Sequence, residues 1–131
     1  MSTLSVTTIQ SLASTAPVFK NSSGTEKGRL AAAWIHFSGN DNSIRGSFNV
    51  SSIDDLGGGA HRVNYTNNFP NKNYCCITTS GEYANLGGNN PERIPRLSNF
   101  NTDSIIFCNR TATGGSGDDN YHGLAIFENP S

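Results

Sequence analysis

The sequence predicts an all-β fold: an antiparallel β-sandwich of six to eight short strands, entered through an extended amino-terminal arm. Three observations carry that expectation. Residues 31–53, AAAWIHFSGNDNSIRGSFNVSSI, alternate in character on both sides of a polar tip, as a hairpin does. Further short apolar runs recur down the chain, separated by clusters of Gly, Asn and Pro. No ten-residue stripe of helical period occurs after residue 30.

Residues 1–29 are expected to form the arm. Leu4, Val6, Ile9, Leu12, Val18 and Phe19 are scattered among Ser and Thr with no sustained period. Pro17 disfavours helix at Ala16, and KNSSGTEKG then reads as a flexible polar connector. The sandwich is expected over 30–131. Leu30 to Ser38 places Trp34 and His36 on one face and Ala33, Ile35 and Phe37 on the other. Ser43 to Ile53 reads as one strand with Ile44, Phe48 and Val50 on one face. Asp54, Asp55 and the glycines 57–59 follow as a loose turn. His61 to Thr66, with Val63 and Tyr65 inward, Tyr74 to Thr79, Ser104 to Arg110 and Tyr121 to Phe127 are the later strands. Gly81 to Arg96 reads as loop.

The expected core is Trp34, Ile44, Phe48, Val50, Val63, Tyr65, Ile77, Ile106 and Ile126. Each would contribute roughly 1.5–3 kcal/mol. Ordering about 100 residues opposes this by on the order of 100–200 kcal/mol. So thin a core is expected to gain burial by self-association.

Composition narrows the function. Charged residues make up 15% and hydrophobic ones 34%, while Asn occurs 17 times, Ser 16 and Gly 14. A formal net charge of −1 without a basic run argues against nucleic acid or an anionic membrane surface as partner. The amino terminus lacks a basic start and a long apolar run, so it does not read as a secretory signal, and no segment reads as a membrane span. Adjacent Cys75 and Cys76 with a third at Cys108 do not make a disulfide framework, and the thiols are expected reduced. The N-x-S/T triplets at Asn21, Asn49, Asn64 and Asn109 are expected to carry no glycan.

No reaction chemistry is legible. There is no nucleophile elbow, phosphate loop or C-x₂-C pair, and His36, His61 and His122 are far apart in sequence, so neither metal nor cofactor is expected. The pairs Asp54-Asp55 and Asp118-Asp119 lie in glycine-rich stretches and read as solvated turn residues rather than a glycosidase pair. Loop aromatic, Asn and Arg side chains suit reversible polar contacts, including those to sugars. That singles out Tyr83, Asn85, Asn89, Asn90, Arg93 and Tyr121, with Asp118 and Asp119 in the adjoining glycine loop.

The stretches APVFKNSSGTEKG, AWIHFSGN, SIRGSFNVSSI, HRVNYTNNFPNKNY and GLAIFENP together resemble a family of bacteriophage fibre proteins common in phages of marine bacteria and cyanobacteria. The likeness runs through Ile44, Arg45, Ser47, Phe48, Asn49, Val50, Ser51, Ser52 and Ile53, and through Tyr65, Thr66, Asn67, Phe69 and Tyr74. Pro70 stands closer to Phe69 than in the family pattern. The match covers most of residues 1–79 and, after Gly81, only the last strand.

The resemblance implies a virion structural protein, made in the host cytoplasm and assembled as a homotrimer on a phage tail or capsid. The hairpin would be scaffold, and loops over 81–103 and 111–121 would meet a host-surface glycan or protein. Leu4, Val6, Ile9, Leu12 and Phe19 would anchor the arm, for instance by adding a strand to a tail or capsid partner. The alternative is a capsid decoration protein that cements the head without a receptor. An enzyme is not expected.

Overall fold

A computed structural model describes residues 18–81, 93–111, 115 and 117–128. Among them the structure is all-β, with strands β1 (Val18–Lys20), β2 (Glu26–Arg29), β3 (Ala33–Phe37), β4 (Ile44–Phe48), β5 (Val50–Gly57), β6 (Ala60–Tyr65), β7 (Tyr74–Gly81), β8 (Arg93–Ser98), β9 (Ser104–Thr111) and β10 (Tyr121–Glu128). Two four-stranded antiparallel sheets form the sandwich: β4-β3-β10-β7 is the first and β5-β6-β9-β8 the second. The fold class expected from the sequence is therefore the one observed.

The stretch KNSSGTEKG is part of a hairpin rather than a loose connector. β1 and β2 pair as a separate two-stranded sheet. Asn21 closes the turn: its Oδ1 accepts from the Thr25 backbone N–H at 2.8 Å, while Gly24 takes a φ of 79°. Ordinary side chains rarely adopt that angle.

The segment read as one strand from Ser43 to Ile53 is two strands in different sheets. The break is Asn49, in the left-handed region with φ 55°. Its Oδ1 accepts from Asn67 N at 2.8 Å, and its Nδ2 donates to the carbonyls of Ala32 and Asn67, both at 3.2 Å. The bonds tie the corner to the entrance of β3 and to the β6–β7 connection. Asn tolerates this backbone and supplies both donors and acceptors, so it turns the chain between layers.

Asp54 and Asp55 accordingly lie within β5, and the loose turn expected there is tight. Gly58 and Gly59, with φ of 58° and 69°, form a two-residue hairpin loop between Gly57 and Ala60. Positive φ at both positions matches the right-handed twist of the flanking strands. Residues 93–98, expected as loop, form β8 at the sheet edge, where Pro95 is tolerated.

The core lies between the sheets and consists of Ala32, Ala33, Ile35, Phe37, Val63, Tyr65, Phe69, Tyr74, Ile105, Phe107, Leu124 and Ile126, with Val50, Ile53, Cys76 and Leu97 packed against it. Val63, Tyr65 and Ile126 are where the sequence placed them. Trp34, Ile44, Phe48 and Ile77 are instead 40–59% exposed, and Ile106 is only half-buried. The reason is register. Leu124 pairs with Ile35 and Ile126 with Ala33, while Trp34 and His36 stand opposite Ala125 and Gly123. Gly123 and Ala125 are too small to fill a core layer, so Leu124 and Ile126 turn inward and carry Ala33, Ile35 and Phe37 with them.

Candidate functional site

Strand alternation gives the sandwich two outer faces, and they differ chemically. On the first sheet the outward row Phe48–Trp34–Ala125–Ile77 crosses all four strands. Trp34 lies low: a Cβ on Gly46 would meet its ring carbons Cη2 and Cζ3 at 3.3 Å. Beside this row Tyr121 stacks on His36, with ring centroids 5.9 Å apart and planes 19° from parallel. The Arg45 guanidinium carbon sits 4.3 Å from the Tyr121 ring centroid, and Arg45 Nη1 is 3.5 Å from His36 Nε2. This is a largely apolar plate whose one guanidinium is spread on an aromatic ring.

The second sheet presents polar groups. Arg62 Nη1 is 3.8 Å from Asp54 Oδ2, and Asn64 Nδ2 donates to Ser52 Oγ at 3.0 Å and to Asp54 Oδ2 at 3.1 Å. Arg96 and Arg110 are exposed on the neighbouring strands, with Ile94 opposite Arg110. At the rim a recess of about 540 Å³ is lined by Arg62, Asn64, Lys72, Asn101, Thr102, Asp103 and Ser104. Donors and acceptors converge there, which suits a polyhydroxylated ligand. A smaller recess of about 210 Å³, lined by Ala32, Asn49, Asn67, Asn68, Phe69, Pro70 and Glu128, lies at the Asn49 corner.

Polar groups distant in sequence meet at one end of the core. His61 and His122 are fully buried with ring centroids 5.9 Å apart, and both contact Phe37. Asn109 Nδ2 donates to Asp119 Oδ2, and the Asp119 backbone N–H donates to His122 Nε2 at 3.4 Å. His61 Nε2 lies 3.8 Å from Asp118 Oδ1, too long for a hydrogen bond. Gly39 is required here, since a Cβ would sit 2.7 Å from His122 Nε2. This polar layer pins the loop at 117–120 onto the core. Among the described residues no group of three His, Cys, Asp or Glu side chains is placed to hold a metal ion.

The residues selected from the sequence fall in different places. Leu4, Val6, Ile9, Leu12, Tyr83, Asn85, Asn89 and Asn90 lie outside the described residues. Phe19 is exposed in β1, and Arg93 begins β8. Tyr121 is on the apolar plate rather than a loop tip. Asp119 is a correction: expected on a solvated tip, it is 2% exposed, because its carboxylate is turned inward to Asn109. Asp118 is half-buried beside His61.

Sequence reasoning passed over the buried histidines, although the signal was present. His61 shares the parity of Val63 and Tyr65, and His122 that of Leu124 and Ile126. The three cysteines are free, and burial pushes the Cys76 thiol up to about 12. No helix among the described residues is long and apolar enough to cross a membrane. No family model, curated protein or solved structure matches the chain.

Proposed function

We propose that this chain is a phage virion structural protein: a short fibre subunit that self-associates as a homotrimer, attaches through its amino-terminal arm and offers a polar surface to the host cell. The phage assignment rests on the sequence motifs through residues 44–53 and 65–74. The observation that carries the assembly is the division of the outer surface, with Trp34, Phe48, Ile77 and Tyr121 exposed on one sheet and Arg62, Lys72, Asn64 and Asp103 around a recess on the other. An apolar face suits contact within an assembly, and a wet polar recess suits reversible binding. The tight hairpins and the Asn49 corner make the sandwich a rigid holder for both.

The test is immunogold labelling of particles of the encoding virus with antibody against this chain, beside light scattering of the purified full-length chain. Gold at the tail with a trimer mass supports the fibre. Gold over the head favours the decoration protein, and particles without label sink the virion reading.

A further inference from the structure

We infer that the recess between Arg62, Lys72 and the β8–β9 connection binds an acidic sugar, one that carries a carboxylate among its hydroxyls; this rests on the reading of the recess as the host-facing surface. At about 540 Å³ the recess has the size of a ligand pocket, roughly 300–1,000 Å³. One wall, the 101–104 turn, is fixed from behind. The Asn101 carbonyl accepts from the Tyr74 hydroxyl at 2.9 Å, and the Thr102 and Asp103 carbonyls accept from the Phe69 and Tyr65 N–H groups, both at 2.8 Å. Asn101 N–H donates to the Ser104 carbonyl at 3.0 Å and closes the turn. The backbone of this wall is thus held by the aromatic cluster, while the Asn101 and Thr102 side chains make no hydrogen bond to another described residue. A wall built in advance lowers the ordering cost of binding.

Charge selects the ligand. Arg62 Nη1 stands 3.8 Å from Asp54 Oδ2, too far for a hydrogen bond, and that oxygen already accepts from Asn64 Nδ2 at 3.1 Å. The guanidinium fork therefore has room for a bidentate carboxylate. Lys72, exposed in the β6–β7 connection, forms no ion pair with another described residue. Arg96 and Arg110 share the outward side of this sheet with Arg62. With Lys72 they set four cations against two carboxylates, Asp54 and Asp103, on a chain whose formal charge is −1. Asp55 stands opposite the inward His61 and belongs to the other side of the sheet. A recess of this sign concentrates anions. Its own carboxylate, Asp103, then narrows the choice. It opposes a bare chain of phosphates but accepts from hydroxyls, as it already does from Ser104 Oγ at 3.0 Å. The Asn101 and Thr102 side chains add the mixed donors and acceptors that a hydroxylated ring needs. One acid group among many hydroxyls is the chemistry of a hexuronate.

The experiment titrates the full-length chain with tetramers of galacturonate, glucuronate and mannuronate, with the methyl ester of each, and with a thymidine octanucleotide, and follows backbone amide shifts by NMR. The expected result is saturable binding of at least one uronate, with shifts at Asn64, Lys72 and Thr102 and roughly tenfold weaker binding of its methyl ester. Lys72→Ala and Arg62→Gln should each weaken the acid roughly fivefold or more and the ester less than about twofold. Arg45→Gln, on the other sheet, should change neither. Equal affinity for acid and ester overturns the acidic ligand and leaves the host-facing reading standing with a neutral sugar. An octanucleotide that binds as tightly at the same amides overturns the sugar, because the recess then reads negative charge alone. Shifts confined to other parts of the chain, or none with any of the three uronates, overturn the inference as well. Adhesion of labelled chain to host cells separates that failure from failure of the reading beneath it. If Lys72→Ala abolishes adhesion without any uronate binding, the recess still meets the host and only the ligand chemistry is wrong. If Lys72→Ala and Arg62→Gln adhere as well as the unaltered chain, the host-facing reading of the recess falls together with the inference.

Discussion

Asn49 concentrates several roles in one side chain: it takes the left-handed backbone, and its amide bonds to Asn67 and to the Ala32 carbonyl. Asn49→Ala removes those bonds and strains the φ, and should lower stability by about 2–3 kcal/mol in denaturant melts. Asn49→Gly relieves the backbone and should lose less; equal losses would show that φ contributes nothing. Phe37 is the other pivotal residue, fully buried against Phe107, His61 and His122. Phe37→Ala should cost about 3–5 kcal/mol in the same assay, and a loss below about 1 kcal/mol would contradict its place in the core.

At the scale of elements, the β6–β7 end of the sandwich is an aromatic cluster. Tyr65 packs on Phe69 with centroids 4.7 Å apart, and Tyr74 donates to the Asn101 carbonyl at 2.9 Å. Burial raises the Tyr65 and Tyr74 phenols above the usual tyrosine value, as it does the Cys76 thiol. The fold thus favours the neutral, protonated forms. Their contribution is complete below the ordinary values of 9.0 for Cys and 10.0 for Tyr and is lost as pH rises above them. Melting temperature should fall between pH 9 and 11, and Tyr65→Phe should flatten that fall; an unchanged slope would deny the tyrosine its part. The β3–β4 hairpin behaves in the opposite sense. Hydrogen bonds from Ser38 and Ser43 lower the Asp41 carboxyl from 3.8 to about 2. Its contribution is present above pH 3.8 and lost as pH drops through 2, a loss that Asp41→Asn should remove from an acid titration of hairpin amide shifts.

At the scale of the whole molecule, the core side chains span Ala32 to Ile126 and sit between the two sheets. Among the described residues, those of β1 and β2 add no side chain to that core. With a core closed between the two sheets, a chain lacking residues 1–17 should melt within about 4 °C of the full protein. A larger drop in scanning calorimetry would show that the arm is structurally part of the sandwich. The same architecture explains why the surface is two-sided. Strands of the first sheet present apolar residues on both faces, as Ala33, Ile35 and Phe37 with Trp34 show, whereas β6 alternates Val63 and Tyr65 with Arg62 and Asn64.

The sequence by itself determined the fold class, most of the strands and the inward side of β6, because alternation and turn residues act locally. It also held the buried histidines in plain parity with their apolar neighbours. Which face of β3 is the core could not be decided locally, since both faces are apolar enough to bury. Only pairing with β10 decided it, by setting Gly123 and Ala125 against His36 and Trp34. The corner at Asn49, the inward turn of Asp119 and the strand at 93–98 were hidden for the same reason. Each depends on a partner distant in sequence: Asn67 and Ala32 for the corner, Asn109 for the carboxylate and β9 for the edge strand. Local pattern fixes what a strand is, and long-range pairing fixes which of its sides meets water.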